Sequence, residues 1–354
     1  MTIDLDAEQR AFRDACGHLA ADVAARWTLG RGPGDVAPPL PGPADWAKMA
    51  GAGWFGLCLH EENGGAEAGA VYASLLVTEV ARAALPAPVL GTLLAGQQLE
   101  TYGADPGLLA GIAAGEVRVA PLLRSDLTGF ADGAETPGGA ALAWDAAGAD
   151  FAVSVPDGSA HLLAGPSGGI DLTRAVRAPL AEPPASPRHV DCRAPGEPER
   201  ARLTAFALAM LTADLLGTME AAHAAAVSHA KTRIQFGAPI GSFEAIGDLA
   251  AEGKVLIEAT RSAAWYAAWS VDAQAPRQAL RAGRVAKAFA SRAAVEVCDA
   301  AVQIFGGIGF TWEFPAHVWL RRAHASRRAF GAEDHHEAVL AAESFGARPT
   351  AEVR

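Results

Sequence analysis

The sequence predicts an α+β protein in which helical segments flank a small β-domain. Three observations carry that prediction. Alanine-rich tracts with apolar residues at helical spacing fill both ends of the chain. Between about residues 117 and 196, short β-prone runs alternate with Gly, Pro and Asp. Proline falls at the joins between long tracts, notably Pro239 and Pro276, where a helix breaker belongs. The expected division is a helical domain over 1–116, a β-domain over 117–196 and a four-helix bundle over 197–354.

Residues 3–28 place Leu5, Phe12, Cys16, Leu19, Val23 and Trp27 at helical spacing, and a Gly/Pro-rich stretch over 30–43 then breaks the pattern. Helical signals resume at 45–49 with Asp45, Trp46 and Met49, and stop at the turn-rich residues 61–65. Two helices over 67–84 and 88–103 are set apart by Pro86 and Pro88. Strand signals follow at 117–120 and 151–155, and the proline- and charge-rich residues 185–200 read as a linker. Helical blocks over 199–232, 243–273, 276–304 and 314–328, with short joins, predict an antiparallel bundle.

With 354 residues the chain can bury a large core, and its hydrophobic half is mostly alanine rather than aromatic, which favours packed helices. A net charge of −11, from 29 basic and 40 acidic residues, argues against nucleic acid as a partner, because phosphate binding needs a basic surface. Cys16, Cys58, Cys192 and Cys298 are scattered without metal-ligand spacing, so reduced thiols and no metal site are expected. The opening MTIDLDAEQRAF is acidic and amphipathic, unlike a signal peptide. No uncharged apolar run approaches the ~20 residues of a membrane span. These features lead us to expect a soluble, cytoplasmic protein with no membrane association.

Two segments carry chemistry. Arg233, Gln235, Phe236 and Gly237 follow one predicted bundle helix, and Gln303, Phe305, Gly306, Gly307 and Phe310 close another. Each sets polar side chains beside glycine and an aromatic ring at a helix end, which suits a large, flat, phosphate-bearing cofactor. Simpler readings exist for each residue. Gly306 and Gly307 also fit a helix C-cap, Phe236 and Phe305 are core residues by default, and Arg233 alone would be a surface charge.

The order of helices, β-domain and helices, with RxxFGxxI opening the second bundle helix and QIFGGxGF ending the third, resembles the acyl-CoA dehydrogenases over nearly the whole chain. The resemblance implies FAD held mainly by the neighbouring subunit of a dimer. It implies Arg233 at the pyrophosphate, where a guanidinium makes forked, charge-assisted bonds that lysine cannot copy. It also implies Gln235 and Phe236 flanking the cofactor, and Gln303, Gly306 and Gly307 cradling its adenosine end, where missing side chains let backbone approach.

The family's reaction removes an α-proton from an acyl-CoA as a β-hydride passes to the flavin, and a glutamate raised by desolvation takes the proton. The two positions that supply this glutamate fall on Phe330, followed by Gly331, and on Ala207. Neither can take a proton, so no catalytic residue is assigned. Glu333 and Asp334 are weak substitutes. Asp334 as an N-cap with Glu337 three residues on resembles a capping box. Adjacent helical side chains diverge by ~100°, which argues against metal binding by Glu333, Asp334, His335, His336 and Glu337. Asp214 and Glu220 lie one to two turns from the expected site.

The flavin-side segments of the β-domain are also eroded. The family's Thr-Glu-Pro-x-x-Gly-Ser-Asp survives only as Ser125-Asp126, and its tryptophan, hydroxyl residue and Asn-Gly become Trp144, Asp145, Ala146, Ala147 and Gly148. The small pair often written Gly-Thr becomes Gly331-Ala332. The pattern, with the shortened β-domain and residues 84–88, resembles the subunit without the base in heteromeric actinobacterial members. The expected function is FAD-dependent α,β-dehydrogenation of an acyl-CoA or carrier-bound acyl thioester in fatty acid or lipid metabolism. It would depend on a homologous, unlike subunit in a heterodimer or heterotetramer, with FAD shared across the interface and electron-transfer flavoprotein as an electron acceptor. Two other readings stay open: a self-sufficient dehydrogenase using Glu333 or Asp334, and a non-redox descendant that binds an acyl thioester or serves as a structural partner.

Overall fold

The computed structural model describes residues 4–25, 40–131, 141–154, 159–161, 163, 169–180 and 190–346. Trp27, residues 30–39 of the Gly/Pro-rich stretch, Val155 and residues 185–189 of the expected linker lie outside the described residues.

The N-terminal region holds five helices: α1 (Ala7–Ala24), α2 (Pro43–Gly51), α3 (Ala70–Arg82), α4 (Val89–Thr101) and α5 (Pro106–Ala113). α1 opens on a complete capping box between Asp6 and Gln9, which satisfies two free backbone N–H groups. α3 starts three residues later than the sequence predicts, because Glu67 takes a left-handed φ of 49° ahead of it. α5 was not expected from periodicity. Its eight residues are too short to show a pattern, but Asp105 accepts from Leu108 N–H and Pro106 fills the first helical position.

The middle region is a four-stranded sheet of β1 (Val119–Leu123), β2 (Leu142–Ala143), β3 (Phe151–Ser154) and β4 (Ser159–His161), in the order β2-β1-β3-β4. β1 and β3 run parallel with Val119 opposite Phe151, and the outer pairs are antiparallel.

The C-terminal region contains α6 (Glu197–Thr232), α7 (Glu244–Ala273), α8 (Pro276–Phe305), α9 (Ala316–Arg328) and α10 (Glu333–Phe345). α6 starts inside the expected linker, because Pro198 occupies its first turn and the Glu199 carboxylate accepts from Gly196 N–H. It is the axis of the fold, packing against α3, α7, α8 and α9. At the α3 crossing a Cβ on Gly217 would lie 2.1 Å from Thr78 O, so only glycine allows that approach.

α10 is a further helix beyond the four expected, and it packs on α8. Ala332 is its N-cap with no side-chain bond, so Asp334 is not the cap and no capping box with Glu337 forms. By length and composition, α6 and the stretch Pro276–Phe310 are apolar enough to cross a membrane. The α6 window is 89% buried inside the protein, which is how the core helix of a bundle also behaves. Asp214 interrupts the apolar run of α6, and Glu296 and Asp299 that of the second stretch.

Between α6 and α7 lies a hairpin of β5 (Ile234–Gln235) and β6 (Ala238–Pro239). Its turn residues Phe236 and Gly237 have φ of 52° and 81°, both left-handed as a two-residue hairpin turn requires.

Candidate functional site

The two motif segments meet at one end of the bundle. His229, in the last turn of α6, packs its ring against Phe305, the last residue of α8, with centroids 4.8 Å apart. Phe314 joins them, 5.7 Å from Phe305 and 6.4 Å from His229. Arg233 follows His229 by one turn as the extended C-cap of α6, and Gln303 precedes Phe305.

The polar residues of both segments face outward. Arg233, Gln235, Gln303, Gly306 and Gly307 are exposed. The Arg233 side chain makes no ion pair or hydrogen bond among the described residues, while Gln235 Nε2 donates to Ile234 O at 2.6 Å. A Cβ built on Gly306 or Gly307 would meet nothing within 4 Å. Phe305 is core, but Phe236 is 96% exposed, against the default reading of a phenylalanine, because the hairpin turn carries it clear of the bundle. An unpaired guanidinium beside bare, accessible backbone can hold a phosphate-bearing group such as the FAD pyrophosphate and adenosine.

The two base positions lie in one apolar core. Ala207 is fully buried in α6, and Phe330 is buried between α9 and α10 with a φ of 57°. Phe330 meets Phe130 edge-on at 4.8 Å and 84°. The next residue, Gly331, has a φ of 91° and donates its N–H to Leu127 O at 3.0 Å. Both positions belong to the cluster that includes Leu85, Leu123 and Trp144.

The acids that could substitute each have partners of their own. Glu333 is tied to Arg327, which donates from Nε at 2.8 Å and from a second guanidinium nitrogen. Burial would raise its carboxyl, but those bonds hold it below the usual range. Asp334 is exposed and accepts from His335 N–H. Glu220 pairs with Arg261 at 2.7 Å. Among the described residues no three His, Cys, Asp or Glu side chains come together to hold a metal.

Behind this core lies a buried ionic cluster that sequence reasoning missed. Arg174 donates to Asp214 Oδ1 at 2.5 Å, to Asp214 Oδ2 at 3.1 Å and to Ser326 Oγ at 2.8 Å. Arg322 donates to Asp214 Oδ1 at 2.6 Å and to Thr173 Oγ1 at 2.7 Å. Burial would raise the Asp214 carboxyl, but the two guanidinium groups hold it well below the carboxylate range. Asp145, with a left-handed φ of 51°, accepts from Gly91 N–H at 2.8 Å. Burial pushes its carboxyl up to about 6, against the pull of Arg174. The network joins α4, the middle region, α6 and α9.

The Arg174 guanidinium also lies 4.7 Å over the Trp144 ring. One face of Trp144, in the segment that the resemblance places on the flavin side, is thus covered by a cation. The Ser125-Asp126 remnant is spent locally, with Asp126 Oδ1 accepting from Thr128 N–H and Oγ1–H. The available sequence signal was a charge on a helix face that periodicity marks as buried, as at Asp214 in α6 and Lys287 in α8.

Two family models match the chain: the acyl-CoA dehydrogenase N-terminal domain over residues 6–106 and the acyl-CoA dehydrogenase C-terminal domain over residues 204–345. Acyl-CoA dehydrogenase IpdE2 of Mycobacterium tuberculosis is 32% identical over 275 residues, covering 76% of each chain. Among solved structures, the ChsE4–ChsE5 complex from Mycobacterium tuberculosis matches with a TM-score of 0.78 at 18% identity, over 99% of this chain and 100% of the other. PigA with FAD and proline matches with a TM-score of 0.76 at 20% identity, over 98% of this chain and 100% of the other. At those identities the likeness to the two structures is one of fold.

Proposed function

Because this chain belongs to the acyl-CoA dehydrogenase family, we propose that it is the subunit without a base in a two-chain enzyme that oxidises an acyl-CoA or carrier-bound acyl thioester. The observation that carries this reading is the filling of both base positions by buried apolar side chains, Ala207 and Phe330. An α-proton needs an acceptor within hydrogen-bond reach, and neither residue offers one. The acceptor then comes from a homologous partner.

FAD, when bound, supplies the hydride acceptor. Arg233 would grip its pyrophosphate, while Gln303, Gly306 and Gly307 would take its adenosine end, with Gln235 and Phe236 alongside. All six are exposed here, as residues serving a cofactor seated mainly in a second chain would be. Arg174 over Trp144 supports placing the flavin ring outside this chain's own β-domain. The division into domains over 1–116, 117–196 and 197–354 assigns that cofactor platform to the last of them. The fold-level likeness to the ChsE4–ChsE5 complex, whose name couples two proteins, is in keeping with an unlike partner. We further propose a cytoplasmic enzyme that passes electrons to electron-transfer flavoprotein.

The test is co-expression with a genomic neighbour of the same family. The chain alone should be colourless, and the co-purified pair should be yellow and bleached by acyl-CoA. A chain that is yellow and bleached by itself would overturn the partner requirement. A chain colourless with every homologous neighbour would leave a non-redox thioester-binding or structural role.

A further inference from the structure

Lys287 lies in the middle of α8 with no solvent exposure. Its Nζ is 3.0 Å from Ser291 Oγ, 2.9 Å from Arg327 O and 3.0 Å from Gly331 O. An ammonium has three N–H donors, and these three acceptors use all of them. The two carbonyls bracket Phe330: Arg327 lies in the last turn of α9, and Gly331 precedes α10. Between them the backbone takes two consecutive left-handed residues, 57° at Phe330 and 91° at Gly331. A bulky residue holds such a φ only where its surroundings over-determine it.

We propose that Lys287 is the positioning residue of the Phe330–Gly331 turn, its three-donor ammonium fixing where the side chain at position 330 points. A neutral amine has two donors, so loss of the proton frees one of the three acceptors and lets the Phe330 ring shift against Phe130.

The groups around the amine place that change near neutrality. Burial pushes Lys287 down to about 7. Glu333 on α10 and Asp214 on α6 act in the opposite sense, and Arg327 on α9 adds to the lowering. Arg284 on α8 and His335 and His336 on α10 also face this region. His336 is buried, and burial with Lys287 beside it pushes it down to about 3, so it stays neutral. His335 is the competing titrating group. Any consequence for an acyl ligand rests on the function proposed above. The clamp itself does not, and it is measurable in the full chain without partner, FAD or substrate.

The full-length chain labelled with 4-fluorophenylalanine provides the test. Phe330→Leu assigns the Phe330 resonance by its disappearance. That resonance should shift with one midpoint near 7 in the wild type and be independent of pH in Lys287→Met and Lys287→Arg. A purely structural lysine would give no titration. A wild-type resonance flat from pH 6 to 9 would overturn the proposal. So would a midpoint that survives in either lysine variant and vanishes in His335→Asn. Should Lys287→Met not fold, the wild type and Lys287→Arg decide the question.

Discussion

His229 packs its ring against Phe305, tilted by 32°, across the end of the bundle, and this contact joins the two motif segments. Arg233 is one turn beyond the first ring and Gln303 two residues before the second. Ring pairs of this kind contribute ~1 kcal/mol beyond area burial. His229→Ala should therefore lower stability by about 1–2 kcal/mol in urea denaturation. It should also reduce the flavin retained by the co-purified complex, since the platform loses its fixed geometry. Full flavin retention at reduced stability would show that the ring pair does not set the platform.

Arg233→Ala separates binding from folding. The side chain is exposed and unpaired among the described residues, so the unfolding free energy should change by less than ~0.5 kcal/mol. Flavin content of the complex, read from its absorbance, should fall markedly. Unchanged flavin content would remove Arg233 from the cofactor platform.

Asp214→Ala should be among the most damaging single changes in the chain. It strands Arg174 and Arg322, both buried, without their shared carboxylate. Breaking one partner out of a buried ion network costs about 3–5 kcal/mol. Asp214→Asn keeps the shape and an acceptor oxygen, so it should cost less than the alanine variant. Equal, small losses for both would mean that water reaches the two guanidinium groups.

Restoring a carboxylate should not restore activity. Phe330→Glu buries an acid between Phe130 and the core, and Ala207→Glu overfills a helix face with no exposed surface. Each should destabilise by roughly 3 kcal/mol or more. Neither uncovers the Trp144 face from Arg174. Turnover by either variant of the isolated chain would refute the placing of the flavin ring outside this chain's β-domain.

The long helices were legible because their apolar periodicity runs for many turns and proline marks their joins, as at Pro276. α5 and α10 were not, since α5 is short and α10 opens without a side-chain cap. The motif residues were legible as types, and the packing of His229 against Phe305 joins segments about 70 residues apart in sequence. The ionic cluster was illegible because its members come from four places in the chain. Only Asp214 stood out, and its helix position alone suggests a failed base rather than the anchor of two arginines. For Phe236 the simpler reading as core was removed only by the hairpin turn, whose positive φ carries the ring into solvent.

The same cluster gives a pH dependence whose sign can be worked out for Asp145. Burial chiefly raises its folded carboxyl from the ordinary 3.8 to about 6. Below the unfolded value both states hold the proton, and no penalty arises. As pH rises from about 4 to 6 the unfolded chain ionises first, so stability falls, and above about 6 the penalty is constant. A rise of that size corresponds to about 3 kcal/mol. Asp145→Asn keeps an acceptor for Gly91 N–H but cannot ionise. Its stability relative to wild type should therefore rise by up to about 3 kcal/mol between pH 4 and 6 and then level off. Asp214 behaves in the opposite sense. Its lowered carboxyl stabilises above about 4, and that contribution is lost as pH falls further. Urea titrations of the two asparagine variants at a series of pH values should thus diverge from wild type in different windows. A difference for Asp145→Asn that is flat from pH 4 to 7 would mean that Arg174 keeps Asp145 ionised throughout, and the excess buried carboxylate would then need another counter-charge.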